Sequence, residues 1–583
     1  MEMEKKKLVI IVLSVVLAAS GLGNVLFTFL VIGKSAESGE SGEILRVARS
    51  SNPVTMDPVD CWDSVSKDML DQVVETLIAY DLTDPDLPLV GRLAESWYWP
   101  DNTTIEFKLR ENVFFHDGSR FTADCILHTI TRINFFGNWT GTLDPDVYTM
   151  AAPHALYKFS DGIPIFNDTL SFATGDYIVS LKLNRPYAPV EGLLGYTASA
   201  IVHPDSTPTN KMLDVDEDLV IGTGPFKLIR YIPNSEVRFA RWERYWRTGA
   251  YWDEIVYMFY PHAVALCEAM SNLDIDWLGQ WPNGLKSCVE PNSNITFTGD
   301  GVHDYINGSI YWYITFNSEI INRTWRMVIS HAFNYTYLNQ EIEEHRTVRA
   351  NSLVPPGFPA HNSSTHGAKY DIPKARTIMQ SMGFGVGWQV GSQVGDIFTP
   401  GANEQDWKDA QFVPTAGAGN FSNSQWNFRH NVASHFMELL IQRFTEDMDL
   451  IGIDIHAQIL TWDQFIQMGK DHPDRLHIYY LGWGSKYFEA FNMIEPLVNN
   501  ESASNYARIN DPYIQYLLEQ CITETNIAAR NILYKRLQGY VIDVQYYHIP
   551  LQYDKLYFIH ATSLKGFPYN CMRFLYWYPT YRE

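Results

Sequence analysis

The chain lacks the short motifs that mark catalysis and metal binding. It has six cysteines in 583 residues and no CxxC pair, which argues against a zinc ribbon or a redox dithiol. It also has no HExxH or HxH pair, no Walker A loop and no evident two-carboxylate motif. The sequence therefore predicts a protein that is not an enzyme and that needs no metal or other cofactor.

Positive charge is also scarce. Lys and Arg total 44 against 67 Asp and Glu, for a net charge of −23, which argues against a nucleic-acid partner. A disordered composition is absent too, since 46% of residues are hydrophobic and 14% are aromatic. Because single cores rarely grow beyond about 300 residues, this length predicts two or three lobes.

The N-terminus carries an uncharged run, residues 8–33, that is 26 residues long and sufficient to span a bilayer. Lys5, Lys6 and Lys7 precede it and favour a cytoplasmic N-terminus. We therefore predict that residues 1–33 form a transmembrane anchor, with the remainder of the chain outside the cell. A cleaved signal peptide is the alternative, since residues 18–20 are small enough for a cleavage site.

Two further features fit a location outside the cell, and the second of them predicts a glycoprotein. Six cysteines outside the cell permit disulfides, and Cys267 and Cys288 are the closest pair and the best candidates for one bridge. The second feature is a set of ten Asn-x-Ser/Thr sequons spread along the chain. They begin at Asn102, Asn138, Asn167, Asn294, Asn307, Asn322, Asn334, Asn362, Asn420 and Asn500.

Residues 87–132 carry the clearest local pattern. Ile105, Phe107 and Leu109 alternate with polar residues, which predicts a strand with one buried face. Asp117 and Gly118 follow as a turn, and Thr122 is suited to begin a helix. The adjacent His116 and Asp117 could suggest a catalytic pair, but a strand-to-helix turn is the simpler interpretation and the one we favour.

Apolar residues also recur every four positions from 65 to 77, which predicts an amphipathic helix over residues 64–79. After Thr223-Gly224-Pro225, the alternation on either side of Pro233 and Asn234 predicts a β-hairpin.

Several of these segments resemble one known family. LAESW, FKLRENVFFHDG, FTAD and the later GTGPFKLIRYIPNSEVRFARWERYW are similar to segments of the family 5 extracellular solute-binding proteins, the peptide- and nickel-binding subunits of ABC importers. The similarity runs from about residue 44 to 570. It implies an α/β fold of the type II periplasmic-binding-protein kind, bilobal with an extra third lobe. With the N-terminal transmembrane helix, the chain would be an archaeal-like, membrane-anchored form.

The resemblance also implies a division of the chain. A flexible linker would occupy residues 34–43. Lobe I would be assembled from residues 44–81, 221–308 and 545–583, lobe II would be residues 82–220, and lobe III would be residues 309–544. Crossovers near residues 221 and 309 would form the hinge.

The candidate ligand site lies in the segment YLGWGSKYFEA, which resembles the family's GW.aDYpDP loop. In that loop the tryptophan walls the ligand cavity and the first aspartate pairs with a peptide's α-amino group. Trp483 matches the tryptophan, but Lys486 stands in the aspartate position and Glu489 in the second aspartate position. Either the loop has drifted and Lys486 points into solvent, or the ligand lacks a free amine there or carries a carboxylate.

The loop before the first helix lies beside the cleft in family members, which adds two residues to the candidate site. The expected ligand-binding residues are Trp62, Asp63, Tyr480, Gly482, Trp483, Lys486, Tyr487 and Glu489.

The resemblance implies capture of an oligopeptide or another small organic solute between the lobes, followed by delivery to the permease subunits of an ABC transporter. With Lys486 in the cleft, blocked, neutral or anionic ligands, including oligosaccharides, would be favoured over free peptides. A sensory ectodomain that binds a solute and signals through a membrane partner is the alternative.

Overall fold

The computed structural model describes residues 42–138, 156–159, 161–278, 292–298, 306–338, 347–382, 426–430 and 435–583. It also describes the short strands Ile11–Ser14 and Thr28–Val31 and the single residues 340, 405, 407 and 408. Residues 1–43 and 44–583 are separate compact units. The bridge partner proposed for Cys267, Cys288, lies outside the described residues, but Cys267 itself is disulfide-bonded. Four other cysteines are free and buried: Cys61, Cys125, Cys521 and Cys571.

The first unit does not show the predicted membrane helix where it is described. Ile11–Ser14 and Thr28–Val31 lie within the uncharged run, and they are short strands that pair antiparallel. Among the described residues, no helix is both long enough and apolar enough to cross a membrane.

Most of the second unit is built on three β-sheets. A seven-stranded sheet takes its strands from three separated parts of the chain, and Ile44–Arg49 pairs parallel with both of its neighbours. In spatial order its strands are Phe226–Ile232, Glu236–Arg241, Glu254–Phe259, Ile44–Arg49, Trp277–Leu278, Phe558–Ala561 and Ile295–Thr298. The first two form the hairpin predicted around Pro233 and Asn234.

The four-stranded sheet comprises Ala94–Asp101, Thr104–Leu109, Ile178–Leu183 and Phe166–Ala173. The six-stranded sheet comprises Thr347–Arg349, His548–Leu556, Ile306–Phe316, Ile478–Gly484, Trp426–His430 and Ile455–Ile459. Two-stranded ladders join Ile78–Tyr80 to Leu89–Gly91, and Leu564–Lys565 to Tyr581–Arg582.

Helices cover the sheets and bury their apolar faces. The described α-helices are Ser64–Val73, Ala123–Gly137, Val190–Leu194, Ala263–Ser271, Arg323–Ala332, Tyr335–Tyr337, Ile372–Ser381, His435–Asp449, Trp462–Asp471, Ala490–Val498, Pro512–Thr523 and Ile527–Gly539. Single turns of 3₁₀ helix occur at Pro58–Asp60, Thr197–Ser199 and Pro473–Arg475, and Tyr540–Val544 is a π-helix.

The first helix is shorter than its pattern predicts. It ends at Val73, and Ile78–Tyr80 forms a strand instead. Leu77 is buried as the four-residue spacing requires, but it is buried outside a helix. The prediction of a helix over residues 64–79 was wrong for residues 74–79, because a buried extended segment satisfies the same apolar pattern.

The six-stranded sheet is joined to the rest by two crossovers. The chain enters it between Thr298 and Ile306, and leaves it between Leu556 and Phe558. The segment 545–583, predicted to belong to lobe I, thus begins with a strand that pairs in the six-stranded sheet. The second crossover lies at Tyr557 rather than near residue 221, because residue 221 leads from the four-stranded to the seven-stranded sheet.

His116 and Asp117 form a turn, as the simpler interpretation predicts. The side chain of Asp117 accepts a hydrogen bond from the Ser119 amide at 2.9 Å, and Gly118 takes a φ of +91°. The Gly222 amide donates to Nδ1 of His116, so Nε2 carries the proton that is donated to the Gly224 carbonyl at 3.0 Å. His116 therefore holds residues 222–224 in place, in the segment that leads from the four-stranded to the seven-stranded sheet.

One predicted glycosylation site conflicts with the packing. Asn362 is buried, and its amide donates to the Lys535 carbonyl at 2.8 Å. Asn322 and Asn334 also have structural roles, since each caps a helix. These contacts argue against glycan attachment at Asn362.

Candidate ligand cleft

The loop before the first helix presents two polar atoms that have no hydrogen-bond partner in the described part of the chain. Asp63 caps the helix Ser64–Val73, and its Oδ1 accepts from the amides of Val65 and Ser66 at 3.0 and 2.9 Å. Its other oxygen, Oδ2, is buried and has no hydrogen-bond partner among the described residues, and the same holds for Nε1 of Trp62. Since buried polar atoms are normally hydrogen-bonded, these two atoms are open to a ligand.

Lys486 approaches this loop from the six-stranded sheet. Its ammonium lies over the Trp62 ring, 5.7 Å from the centroid. Burial lowers the pKa of Lys486, and the nearby Asp63 carboxylate partly opposes that shift. The interpretation in which Lys486 points into solvent is therefore wrong.

Asn492 fixes the backbone of the Lys486 loop. Its side-chain oxygen accepts from the Lys486 amide at 2.7 Å, and its carbonyl accepts from Nε1 of Trp483 at 2.8 Å. The half-buried Trp483 ring therefore also holds the loop in place. Sequence reasoning missed Asn492, because it lies beyond the resembling segment, in the first turn of Ala490–Val498.

Two of the predicted site residues have packing roles. Tyr480 is buried and stacks on Trp312, with ring centroids 5.4 Å apart. Gly482 lies beneath the same indole, because a Cβ there would come within 2.5 Å of the Trp312 ring. The strand Ile478–Gly484 thus places Tyr480 in the core of the six-stranded sheet rather than beside Trp62.

Tyr487 and Glu489 contact other elements. Tyr487 is buried against Gly192. Burial raises its pKa well above the usual value, and the nearby Tyr187 adds to the rise. The Glu489 carboxylate lies 3.8 Å from the Arg530 guanidinium. Burial raises the pKa of Glu489, and Arg530 acts against that rise. Glu489 is therefore committed to Arg530 and does not compensate the charge of Lys486.

Tyr80 connects the cleft loop to the helix Val190–Leu194. Its hydroxyl accepts from the Phe488 amide at 3.0 Å and donates to the Gly192 carbonyl at 3.1 Å. The Ala188 amide adds a further contact by donating to the Ile522 carbonyl at 2.8 Å. Parts of the chain about four hundred residues apart thus meet at Tyr80, which no sequence motif indicated.

A cavity of about 60 Å³ lies behind Tyr80. Two ion pairs line it, Lys67 with Asp71 and Arg92 with Glu75, the latter at 3.4 Å. Their charges are therefore compensated within the protein. Among the described residues, no group of three or more His, Cys, Asp or Glu side chains could hold a metal ion.

The seven-stranded and six-stranded sheets are joined by two crossovers, and Lys486 on one side lies over the Trp62 ring on the other. This arrangement is typical of a two-lobed binding protein. The model of the bacterial extracellular solute-binding proteins, family 5 (middle region), matches residues 88–505. The chain belongs to this family, whose members are binding proteins of transport systems rather than enzymes.

Individual relatives are more distant. The glutathione-binding proteins GsiB of Shigella flexneri and of Escherichia coli K12 are each 23% identical over 534 residues, which is 89% of this chain and 91% of theirs.

Solved structures share the fold. Helicobacter pylori DppA, in complex with the peptide STSA, is 19% identical with a TM-score of 0.69, over 93% of this chain and 98% of that one. Bacillus subtilis AppA, in complex with a nonapeptide, is 18% identical with a TM-score of 0.68, over 93% and 99%.

Proposed function

We propose that this chain captures a peptide-like or other small organic solute between its lobes and delivers it to the permease of an ABC transporter. The observation that carries the proposal is the group formed by Trp62, Asp63 and Lys486. Trp62 and Asp63 lie in the loop before the first helix, and Lys486 lies just after a strand of the six-stranded sheet. Nε1 of Trp62 and Oδ2 of Asp63 lack hydrogen-bond partners among the described residues. The names of the relatives, which bind glutathione or peptides, support the same class of solute.

Capture of this kind works as a clamp. Only the crossovers 298–306 and 556–558 connect the six-stranded sheet to the other described sheets along the chain, so a rotation there separates Lys486 from Trp62 and Asp63. A solute that contacts both sides favours the closed form, because it gains those contacts only when the lobes are together.

Small-angle scattering of the full-length chain tests this mechanism. The solute is first identified by mass spectrometry of whatever co-purifies, and is then removed and added back. We expect a smaller radius of gyration with the solute than without it. An unchanged radius with solute verifiably bound would rule out a clamp.

We propose further that residues 8–33 anchor the protein in the membrane and that the binding unit is extracellular. The uncharged run and the lysines before it support this topology. Natively expressed protein should stay with the membranes after a carbonate wash. Recovery of a soluble mature chain that begins near residues 20–35 would identify a cleaved signal instead.

A further inference from the structure

Trp62, Asp63 and Lys486 together offer donor, acceptor and donor groups. Nε1 of Trp62 is a buried donor and Oδ2 of Asp63 a buried acceptor, each without a partner among the described residues. Lys486 contributes an ammonium that lies over the Trp62 ring.

These groups are held in place by other interactions. The Asp63 carboxylate is oriented by its two hydrogen bonds to the amides of the first helical turn. The backbone of Lys486 is held by the Asn492 side chain. Rigid, pre-positioned groups lose little conformational entropy on binding, so their selectivity follows from their chemistry.

A ligand must satisfy both charges to avoid leaving one buried and unpaired. A carboxylate can accept from Lys486 and Trp62, and an ammonium can donate to Asp63. We infer, on the basis of the proposed function, that this site binds a free α-amino acid head group, in which one carbon carries both an ammonium and a carboxylate.

Other ligand ends satisfy the site less completely. The N-terminus of an ordinary peptide brings an ammonium for Asp63 but repels Lys486, by about 1 kcal/mol at ~4 Å in water and by more when desolvated. A peptide C-terminus brings a carboxylate for Lys486 but only a neutral N–H for Asp63. Asp63 therefore changes the expectation drawn from Lys486 alone, which favoured blocked, neutral or anionic ligands.

Two isomeric tripeptides separate these alternatives. In γ-linked Glu-Ala-Gly the glutamate keeps both its α-ammonium and its α-carboxylate free, whereas in the α-linked isomer the α-carboxyl is in the peptide bond. The isomers share composition, net charge and C-terminus. A site that recognises the C-terminus binds both equally, and a site that recognises the head group binds only the γ-linked isomer tightly.

The test is calorimetry of both isomers on the full-length chain after removal of co-purified solute. We expect the γ-linked isomer to bind at least about tenfold more tightly, since hydrogen bonds to charged groups are the strong ones. Equal affinities, tighter binding of the α-linked isomer or no binding of the γ-linked isomer would each overturn the inference.

Two variants assign the effect to this site. Asp63→Asn retains a side chain that caps helices well, and Lys486→Met retains the length of the side chain. Each should weaken binding of the γ-linked isomer by about tenfold or more and reduce its advantage over the α-linked isomer. Asp371→Asn, which changes a cap of the helix Ile372–Ser381, is the matched control and should alter neither affinity. An unchanged ratio in both site variants would refute the assignment.

The scattering experiment separates this inference from the function on which it depends. A protein that closes on its co-purified solute but binds the two isomers equally would retain the proposed function and lose the inference. A protein that neither closes nor binds either isomer would lose both.

Discussion

Asp57 and Asp63 stand six residues apart, and both cap a helix, yet their environments differ. Asp57 accepts from the Val59 amide at 3.1 Å, from the Leu213 amide at 2.8 Å and from both terminal nitrogens of the Arg132 guanidinium. Asp63 uses one oxygen for its cap, and its second oxygen is unpartnered among the described residues. The same residue type is fully hydrogen-bonded at one position, and at the other it keeps one oxygen without a partner among the described residues.

The physical difference is how the charge is compensated. Burying a carboxylate is costly unless a cation and hydrogen bonds replace its hydration, and Arg132 does so for Asp57. The ion pairs at the cavity behind Tyr80 are of the same kind, and Glu75 also accepts from Tyr245 at 2.8 Å and from Trp246 at 2.9 Å. Around Asp63 the compensation is incomplete, so a ligand can supply the remainder.

The largest expected effect follows from removing the charge of Asp57. Asp57→Asn leaves the buried Arg132 guanidinium without its counter-ion and should lower the free energy of unfolding by roughly 3–5 kcal/mol. Asp63→Asn, which keeps its cap, should cost less than about 1 kcal/mol. Urea denaturation of the two variants measures the contrast, and equal losses would show that the two aspartates do not differ as described.

Acid should destabilise the protein through His116, a neutral side chain whose two ring nitrogens are both hydrogen-bonded. Burial lowers the pKa of His116 from 6.5 to about 4. As the pH falls below about 6.5, His116 becomes protonated in the unfolded chain but stays neutral in the folded protein. The free energy of unfolding therefore decreases between pH ~6.5 and ~4. For His116 this loss is up to about 3 kcal/mol, at about 1.4 kcal/mol per pKa unit.

His116→Gln provides the comparison for the acid effect, because its amide can still donate to the Gly224 carbonyl but does not titrate. Urea midpoints at neutral and acid pH should differ less for this variant than for the wild type. Identical pH dependence would assign the acid sensitivity to other groups, of which His548 is one, since burial lowers its pKa to about 3.

The smallest expected effect concerns the surroundings of Asp63, where the buried charge is incompletely compensated. Lys486→Met should raise the stability of the ligand-free protein by on the order of 0.5–1 kcal/mol, because it removes a buried charge that is only partly compensated. Because the folded-state pKa of Lys486 is lowered, its charge is penalised at all pH values below that pKa, and the penalty disappears as the lysine is deprotonated.

The stability gain from Lys486→Met should therefore be present at neutral pH and shrink in strong alkali. Thermal unfolding at both pH values measures it. A loss of stability at neutral pH would mean that Lys486 is part of the structure rather than a binding group.

Local patterns in the sequence determined much of the scaffold. The alternation of Ile105, Phe107 and Leu109 placed a strand with one buried face, and the structure has it at Thr104–Leu109. The turn at Gly118 and the hairpin after Pro225 follow from equally local chemistry. The resembling segments also identified the family, because they are distributed along nearly the whole second unit.

Tertiary structure alone decided the site. Which oxygen of Asp63 stays unpartnered, whether Lys486 faces solvent or Trp62, and that Glu489 is held by Arg530 all depend on residues far away in the chain. Asp57 and Arg132 are 75 positions apart, and Tyr80 and Phe488 are 408 apart. Sequence periodicity reports which face of an element is buried, but not which partner buries it, since partners are fixed by the packing of whole sheets and helices.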